Sequence, residues 1–245
     1  MARALKKGAA PRARATRNKA PASSLAAPKR ARPAAIKADR FDVHPGVEKV
    51  QKWIAELKPR TGRTLDEWVT LCRKQGPGDE KSCRAWLKEK HGLGTNTSAW
   101  MAEKAHAAPG TPSEDSPDAY LAAAAVYTRD LYAGPKAALK PIHDEIVRAA
   151  RALGADVKVC PCKTMIPLYR AHVFAQIRPA TRARVDLGLC LTPLIKRGTA
   201  LPARLIDTGG FAKKDRITHR IELTGPAMFD AEARRWLKRA YELEA

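Results

Sequence analysis

The stretch R-V-D-L-G-L-C-L, residues 184–191, alternates apolar and polar side chains with the two-residue period of a half-buried β-strand. Its apolar side carries Val185, Leu187, Leu189 and Leu191, and its other side carries Arg184, Asp186, Gly188 and Cys190. The stretch I-T-H-R-I-E-L repeats the pattern, with Ile217, His219, Ile221 and Leu223 opposite Thr218, Arg220 and Glu222. Two such strands predict a sheet with one apolar face and one basic face.

Three more strand patterns precede this pair, around residues 157–160, 164–169 and 172–177. Apolar residues at helical spacing occur within residues 118–154, and again from Phe229 onward. Because the gaps between strands are hairpin-sized, we expect an antiparallel sheet with helices packed on one face. Residues 118–245 are therefore predicted to form an α+β domain.

Residues 41–105 carry only helical patterns and predict a small all-α domain. The first pattern places apolar residues at Val47, Val50, Ile54 and Leu57. We expect Pro59 to close that helix, and Thr64 and Glu67 to start the next one as a capping box. Two further helices are separated by G-L-G at residues 92–94.

This helix, turn and helix also fit a DNA-reading helix-turn-helix. Residues 41–117 hold twelve basic and eleven acidic residues, so the segment is almost neutral. Near-neutrality favours a packed helical bundle over a DNA-reading element.

The remaining segments are a linker and a tail. Residues 106–117 read H-A-A-P-G-T-P-S-E-D-S-P and predict a linker between the two domains. Residues 1–40 hold twelve basic residues, one acid and few large apolar side chains, which predicts a disordered basic tail. Ten of these basic residues are candidate nucleic-acid contacts: Arg3, Lys6, Lys7, Arg12, Arg14, Arg17, Lys19, Lys29, Arg30 and Arg32.

The whole chain is strongly basic, with 46 Lys and Arg against 25 Asp and Glu and a formal net charge of +21. Such a charge favours polyanionic partners. Five cysteines, an odd number, and no recognisable secretory signal indicate the cytoplasm, with the nucleoid as a location there. The longest apolar run, residues 121–126, is too short to span a membrane, while the acid-poor leader also fits an organellar transit peptide.

The stretch C-P-C contains Cys160 and Cys162, which a straight strand would turn outward like Cys190. With His172 these thiols have the residue types of a zinc site. The alternative is free thiols on an edge strand, which is favoured because no second closely spaced cysteine pair is present. We therefore predict no metal and no cofactor, and we expect His219 to be a core residue rather than a base.

The helical region resembles a small helical domain of bacterial proteins whose function is unknown. The resemblance extends from V-Q-K-W-I-A-E-L through K-P-R-T-G-R-T-L-D-E-W to W-L-K-E-K-H-G-L-G. The following region is similar to a second bacterial domain of unknown function. This similarity extends from D-L-Y-A-G through V-D-L-G-L and T-H-R-I-E-L to the final A-Y. In that family the second strand opens with a pair like Lys163-Thr164, and later strands carry residues like Phe174 and Asp186-Leu187-Gly188. The tail resembles, in composition, the Ala-, Lys- and Pro-rich arms of linker-histone-type proteins. These resemblances imply two domains and supply no mechanism.

Three interpretations of function remain. The first is non-specific association with nucleic acid through the basic tail and the basic sheet face. The second is that the charge only keeps the protein soluble. The third is a small anionic ligand, or an enzymatic reaction, at a pocket formed by Lys163, Thr164, Arg182, Arg184, Asp186 and Arg220. The usual nucleotide, metal and nucleophile motifs are absent from the sequence, which weighs against an enzyme, and nothing in it indicates an oligomeric state.

Overall fold

A computed structural model describes residues 40–111 and 113–244, which belong to one compact unit. The predicted tail lies outside the described residues except for Arg40, and so do its ten candidate nucleic-acid contacts. The predicted α+β fold class is confirmed, because a helical region is followed by an open antiparallel sheet of six strands with helices.

The helical domain consists of α1 (Gly46–Thr61), α2 (Leu65–Gln75), α3 (Glu80–His91) and α4 (Thr95–His106). It has its own core, whose large buried side chains include Leu57, Trp68, Leu87, Leu93 and Met101. The predicted capping box is confirmed. The Glu67 N–H donates to Thr64 Oγ1 at 3.3 Å, and the Thr64 N–H donates to the Glu67 carboxylate at 2.7 Å.

The first helix ends later than its sequence predicts. Pro59 does not close α1, which continues to Thr61. Gly62 ends it instead, with a left-handed φ of 78° and its N–H donating to the Lys58 carbonyl at 2.9 Å. The prediction was wrong because α1 accommodates Pro59 in its last turn. Gly62, which reverses the chain, satisfies a carbonyl of that turn and ends the helix.

The second domain contains α5 (Pro117–Leu131), α6 (Lys140–Arg151), α7 (Thr192–Lys196) and α8 (Ala231–Glu242), with 3₁₀ turns at Gly134–Leu139 and Pro226–Met228. Its strands are β1 (Lys158–Val159), β2 (Ile166–Tyr169), β3 (Val173–Pro179), β4 (Val185–Leu189), β5 (Ile206–Asp207) and β6 (His219–Leu223). They are ordered β1-β2-β3-β4-β6-β5, and each neighbouring pair is antiparallel. In the described part of the chain, no helix is both long and apolar enough to cross a membrane.

The main core lies against the apolar face of the sheet. In the strand register, Leu187 of β4 lies between Ile177 of β3 and Ile221 of β6. These side chains share one buried cluster with Ile146 of α6 and Leu237 of α8. The alternation in residues 184–191 and 217–223 therefore predicted which side of the central strands is buried.

An irregularity in β3 adds an aromatic side chain to this core. The pairing of β2 with β3 shifts register between Leu168 and Tyr169, which leaves Phe174 without a partner in the ladder. A residue at such a bulge does not follow strict alternation. Phe174 is fully buried in the main core, with its ring centroid 5.6 Å from that of Tyr241 on α8.

The segment just before α1 is tied to β1. The Asp42 N–H donates to the Val159 carbonyl at 2.9 Å, and the Asp42 carboxylate accepts the Val159 N–H at 2.8 Å. The same carboxylate pairs with Arg151 of α6 at 2.9 Å, and Phe41 packs against the core. Any shortened form of the protein must therefore keep this segment.

Ile217 lies on the polar face of the sheet, although alternation placed it on the apolar face. A Cβ atom at Gly188, whose side faces away from the core, would lie 2.7 Å from Ile217 Cγ2. The prediction was wrong because β6 begins only at His219. Before it, Thr218 is held by its N–H, which donates to the Leu189 carbonyl at 3.1 Å, so the two-residue period does not extend back to residue 217.

Candidate functional site

The polar face of the sheet brings together three of the six candidate ligand-binding residues. Arg184, just before β4, lies 2.9 Å from the Asp186 carboxylate and 2.8 Å from the Glu222 carboxylate. Arg220 of β6 lies 3.0 Å from Glu222 and 3.7 Å from Asp186. Asp186 and Glu222 are directly opposite each other in the β4–β6 register, so each arginine can bridge both carboxylates.

This arrangement corrects the interpretation of the face as basic. The charges of Arg184 and Arg220 are balanced by two carboxylates, of which Asp186 is only 13% exposed. Arg178, opposite Asp186 in the register, is exposed and adds one positive charge. Arg220 already donates to the Glu222 carboxylate at 3.0 Å, and a guanidinium engaged in this way has fewer donors left for a phosphate. The sequence placed Asp186 beside Arg184 and Glu222 beside Arg220 on this face, but it did not show that Arg184 pairs with Glu222 across the strands.

The other three candidate residues lie in the turns between strands. Lys163 and Arg182 line a cavity of about 380 Å³, whose other charged residues are Asp130 and Lys136. Thr164 is exposed on the same turn as Lys163. The six candidates thus form two groups, one in these turns and one held by ion pairs on the polar face.

The thiols of the C-P-C stretch are less accessible than predicted. Cys160 is fully buried, with its Sγ 3.8 Å from the Val43 carbonyl, and Cys162 is half-buried. The outward assignment was wrong because residues 41–43 cover the end of β1; Cys190, also predicted to face outward, is buried beyond the end of β4.

Burial also decides the chemistry of these two thiols. It raises the pKa of Cys160 to about 12 and that of Cys162 to about 11, so both stay protonated at neutral pH. Within residues 40–111 and 113–244, no group of three or more His, Cys, Asp and Glu side chains is placed to hold a metal ion. The C-P-C stretch offers neither a reactive thiolate nor a ligand set there.

His219 is buried, as its position in the pattern predicted. Its Nδ1 lies 3.2 Å from Thr218 Oγ1, and burial lowers the pKa of the imidazole. A neutral imidazole that contacts a buried threonine has the environment of a structural residue, here at the start of β6 between β4 and β5.

The fold therefore defines a two-domain protein, helical first and α+β second, whose polar sheet face is occupied by ion pairs. Residues 49–106 match the family model described as Domain of unknown function (DUF4287), and residues 128–244 match the one described as Domain of unknown function (DUF5655). The resemblance to two domains of unknown function is thereby confirmed. The chain matches no curated protein and no solved structure.

Proposed function

We propose that the protein associates with nucleic acid without sequence preference, through the phosphate groups. The observation that carries the proposal is the charge of residues 1–40, which hold twelve basic residues and one acid. Lys and Arg that neutralise phosphates release condensed counterions, and this release supplies most of non-specific binding. A location on the nucleoid would follow from such binding.

Fewer residues of the folded part remain as candidate phosphate contacts once their ion pairs are considered. Arg184 and Arg220 are engaged by Asp186 and Glu222, so the polar face of the sheet is not part of the proposed phosphate contact. The ligand-binding alternative is weakened for the same reason, because its candidates form two groups and one group is neutralised internally. Residues 41–245 still hold 34 basic and 24 acidic residues, a net +10, so the folded part also favours a polyanion.

The test is a truncation that removes the ten candidate contacts and leaves the folded part intact. A form that begins at Ile36 lacks Arg3 through Arg32 but keeps the segment in which Asp42 binds Arg151 and Val159. We expect it to bind a labelled DNA duplex at least about tenfold more weakly than the full chain at low salt, as measured by fluorescence anisotropy.

The control is a full-length variant in which the same ten Lys and Arg are replaced by Gln. If charge is the cause, this variant binds as weakly as the truncated form. Equal affinity of the full chain and the truncated form at low salt would contradict the proposal and favour a role of the charge in solubility alone.

A further inference from the structure

The loop that joins β5 to β6, residues 208–217, is held in a fixed shape. Its ends are joined by the Thr208 N–H, which donates to the Thr218 carbonyl at 3.0 Å. Inside it, the Asp215 N–H donates to the Gly210 carbonyl at 2.8 Å, and Lys214 adopts a left-handed φ of 59°. A Cβ atom at Gly210 would collide with the Ile217 carbonyl, so the two sides of the loop touch through their backbones.

This loop presents an aromatic ring to solvent. Phe211 is 44% exposed, and the other exposed large apolar side chain among the described residues is Met228, at 41%. Met228 has a local role, because its sulfur accepts the Thr224 hydroxyl at 3.0 Å. The Phe211 ring makes no aromatic or cation–π contact with the other described residues, and the backbone hydrogen bonds of the loop hold it at the surface. Single exposed apolar side chains are common on protein surfaces, so the fixed loop and the charges around the ring, rather than its exposure alone, point to a ligand.

The surroundings of Phe211 are basic. It borders a cavity of about 540 Å³, whose charged lining residues are Lys196, Lys214, Asp215, Arg216 and Glu244. Arg216 and Glu244 form an ion pair with each other. In the described part of the chain, no carboxylate forms an ion pair with Lys196, Lys213 or Lys214, so their charges outnumber the remaining acid, Asp215.

We propose that residues 208–217, together with Lys196, bind single-stranded nucleic acid, with an unpaired base stacked on Phe211 and neighbouring phosphates on the lysines. The inference rests on the proposed association with nucleic acid and adds to it a contact in the folded part. Aromatic rings flanked by cations are the usual means of binding single strands, since every base offers a flat face.

Single strands fit this site better than duplexes do. In a duplex the bases are stacked on one another, and a ring on a surface loop cannot reach a base face without unstacking it. A single phenyl ring also offers too little apolar surface for insertion into a membrane, so a lipid surface is a less suitable partner. The loop therefore adds a preference for unpaired bases to whatever affinity the tail supplies for phosphates.

The experiment compares full-length protein with the variants Phe211→Ala and Met228→Ala, using a labelled oligothymidylate and a labelled duplex. We expect Phe211→Ala to weaken binding of the single strand about 5- to 150-fold, the effect of losing one stacked base, and to leave duplex binding unchanged. Met228→Ala, the matched loss of an exposed apolar side chain, should leave both affinities unchanged. Phe211→Trp should bind the single strand at least as tightly as the natural chain.

Each other result has a distinct meaning. If the natural chain binds both probes and Phe211→Ala binds them equally well, the loop site is wrong and the proposed association stands. If Phe211→Ala weakens binding of both probes alike, the preference for unpaired bases is wrong. If the natural chain binds neither probe, the proposed function and the loop site both fail. Loss of binding to phosphatidylserine vesicles in Phe211→Ala, with DNA binding unchanged, would replace the nucleic acid by a lipid surface.

Discussion

Replacement of Trp68 by alanine is expected to lower the free energy of unfolding of the helical domain by about 3–5 kcal/mol. Trp68 of α2 is buried in the helical core, and its ring centroid lies 5.3 Å from that of His91 at the end of α3. Its Nε1–H donates to Thr61 Oγ1 at 2.8 Å, which fixes the end of α1 against α2. Alanine would leave a cavity and remove this hydrogen bond. Urea unfolding followed by circular dichroism measures the change.

The control for this prediction is Trp86→Ala in the same domain. Trp86 is only half-buried on α3, beside His91 at a ring separation of 4.5 Å. Less buried area is lost there, so its destabilisation should be clearly smaller than that of Trp68→Ala. Equal effects of the two substitutions would contradict the position of Trp68 at the centre of the core.

Replacement of Phe174 by alanine should destabilise the α+β domain by a similar amount, about 3–5 kcal/mol. Phe174 occupies the bulge of β3 and packs between the sheet and Tyr241 of α8. Alanine cannot fill that space, and α8 would lose its aromatic contact with the sheet. The free energy of unfolding, obtained from urea titration, is again the measured quantity.

Phe211→Ala is the natural control, because it makes the same chemical change on the surface of the same domain. Its free energy of unfolding should stay within about 0.5 kcal/mol of that of the natural chain. A large loss of stability there would mean that Phe211 contributes to the core. It would also remove the argument that this ring is free for a ligand.

Trp68→Ala and Phe174→Ala together test the predicted domain limits, residues 41–105 and 118–245. The two cores are separate clusters, yet Val47 of α1 also packs with Tyr120 of α5 and with Cys160. If the predicted domains unfold independently, each substitution shifts its own transition and leaves the other in place. A single transition that both substitutions shift would show that the two domains unfold as one cooperative unit.

The features predicted correctly from the sequence depend on residues close together in the chain. The capping box of Thr64 and Glu67 spans three residues, and the alternation around Leu187 reports a strand that is buried on one side. Such patterns are local, so one sequence is enough to recognise them. The α+β class followed from the order and spacing of these elements.

The features that the sequence missed depend on contacts between distant residues. Cys160 is buried because the segment around Val43, 117 positions earlier, covers it. Arg184 is paired at 2.8 Å with Glu222, a residue of another strand that becomes its neighbour only in the folded sheet. Residues 208–217 have no apolar periodicity, so no pattern indicated that Phe211 would be held rigidly at the surface.

Binding of a DNA duplex over a range of salt concentrations tests the central claim most directly. If the ten basic residues from Arg3 to Arg32 contact phosphates, they should contribute about −9 to the slope of the plot of log affinity against log salt for the full chain. The form that begins at Ile36 should show a slope smaller in magnitude by about the same amount. Equal slopes for the two forms would show that these ten residues release no counterions and would contradict the account.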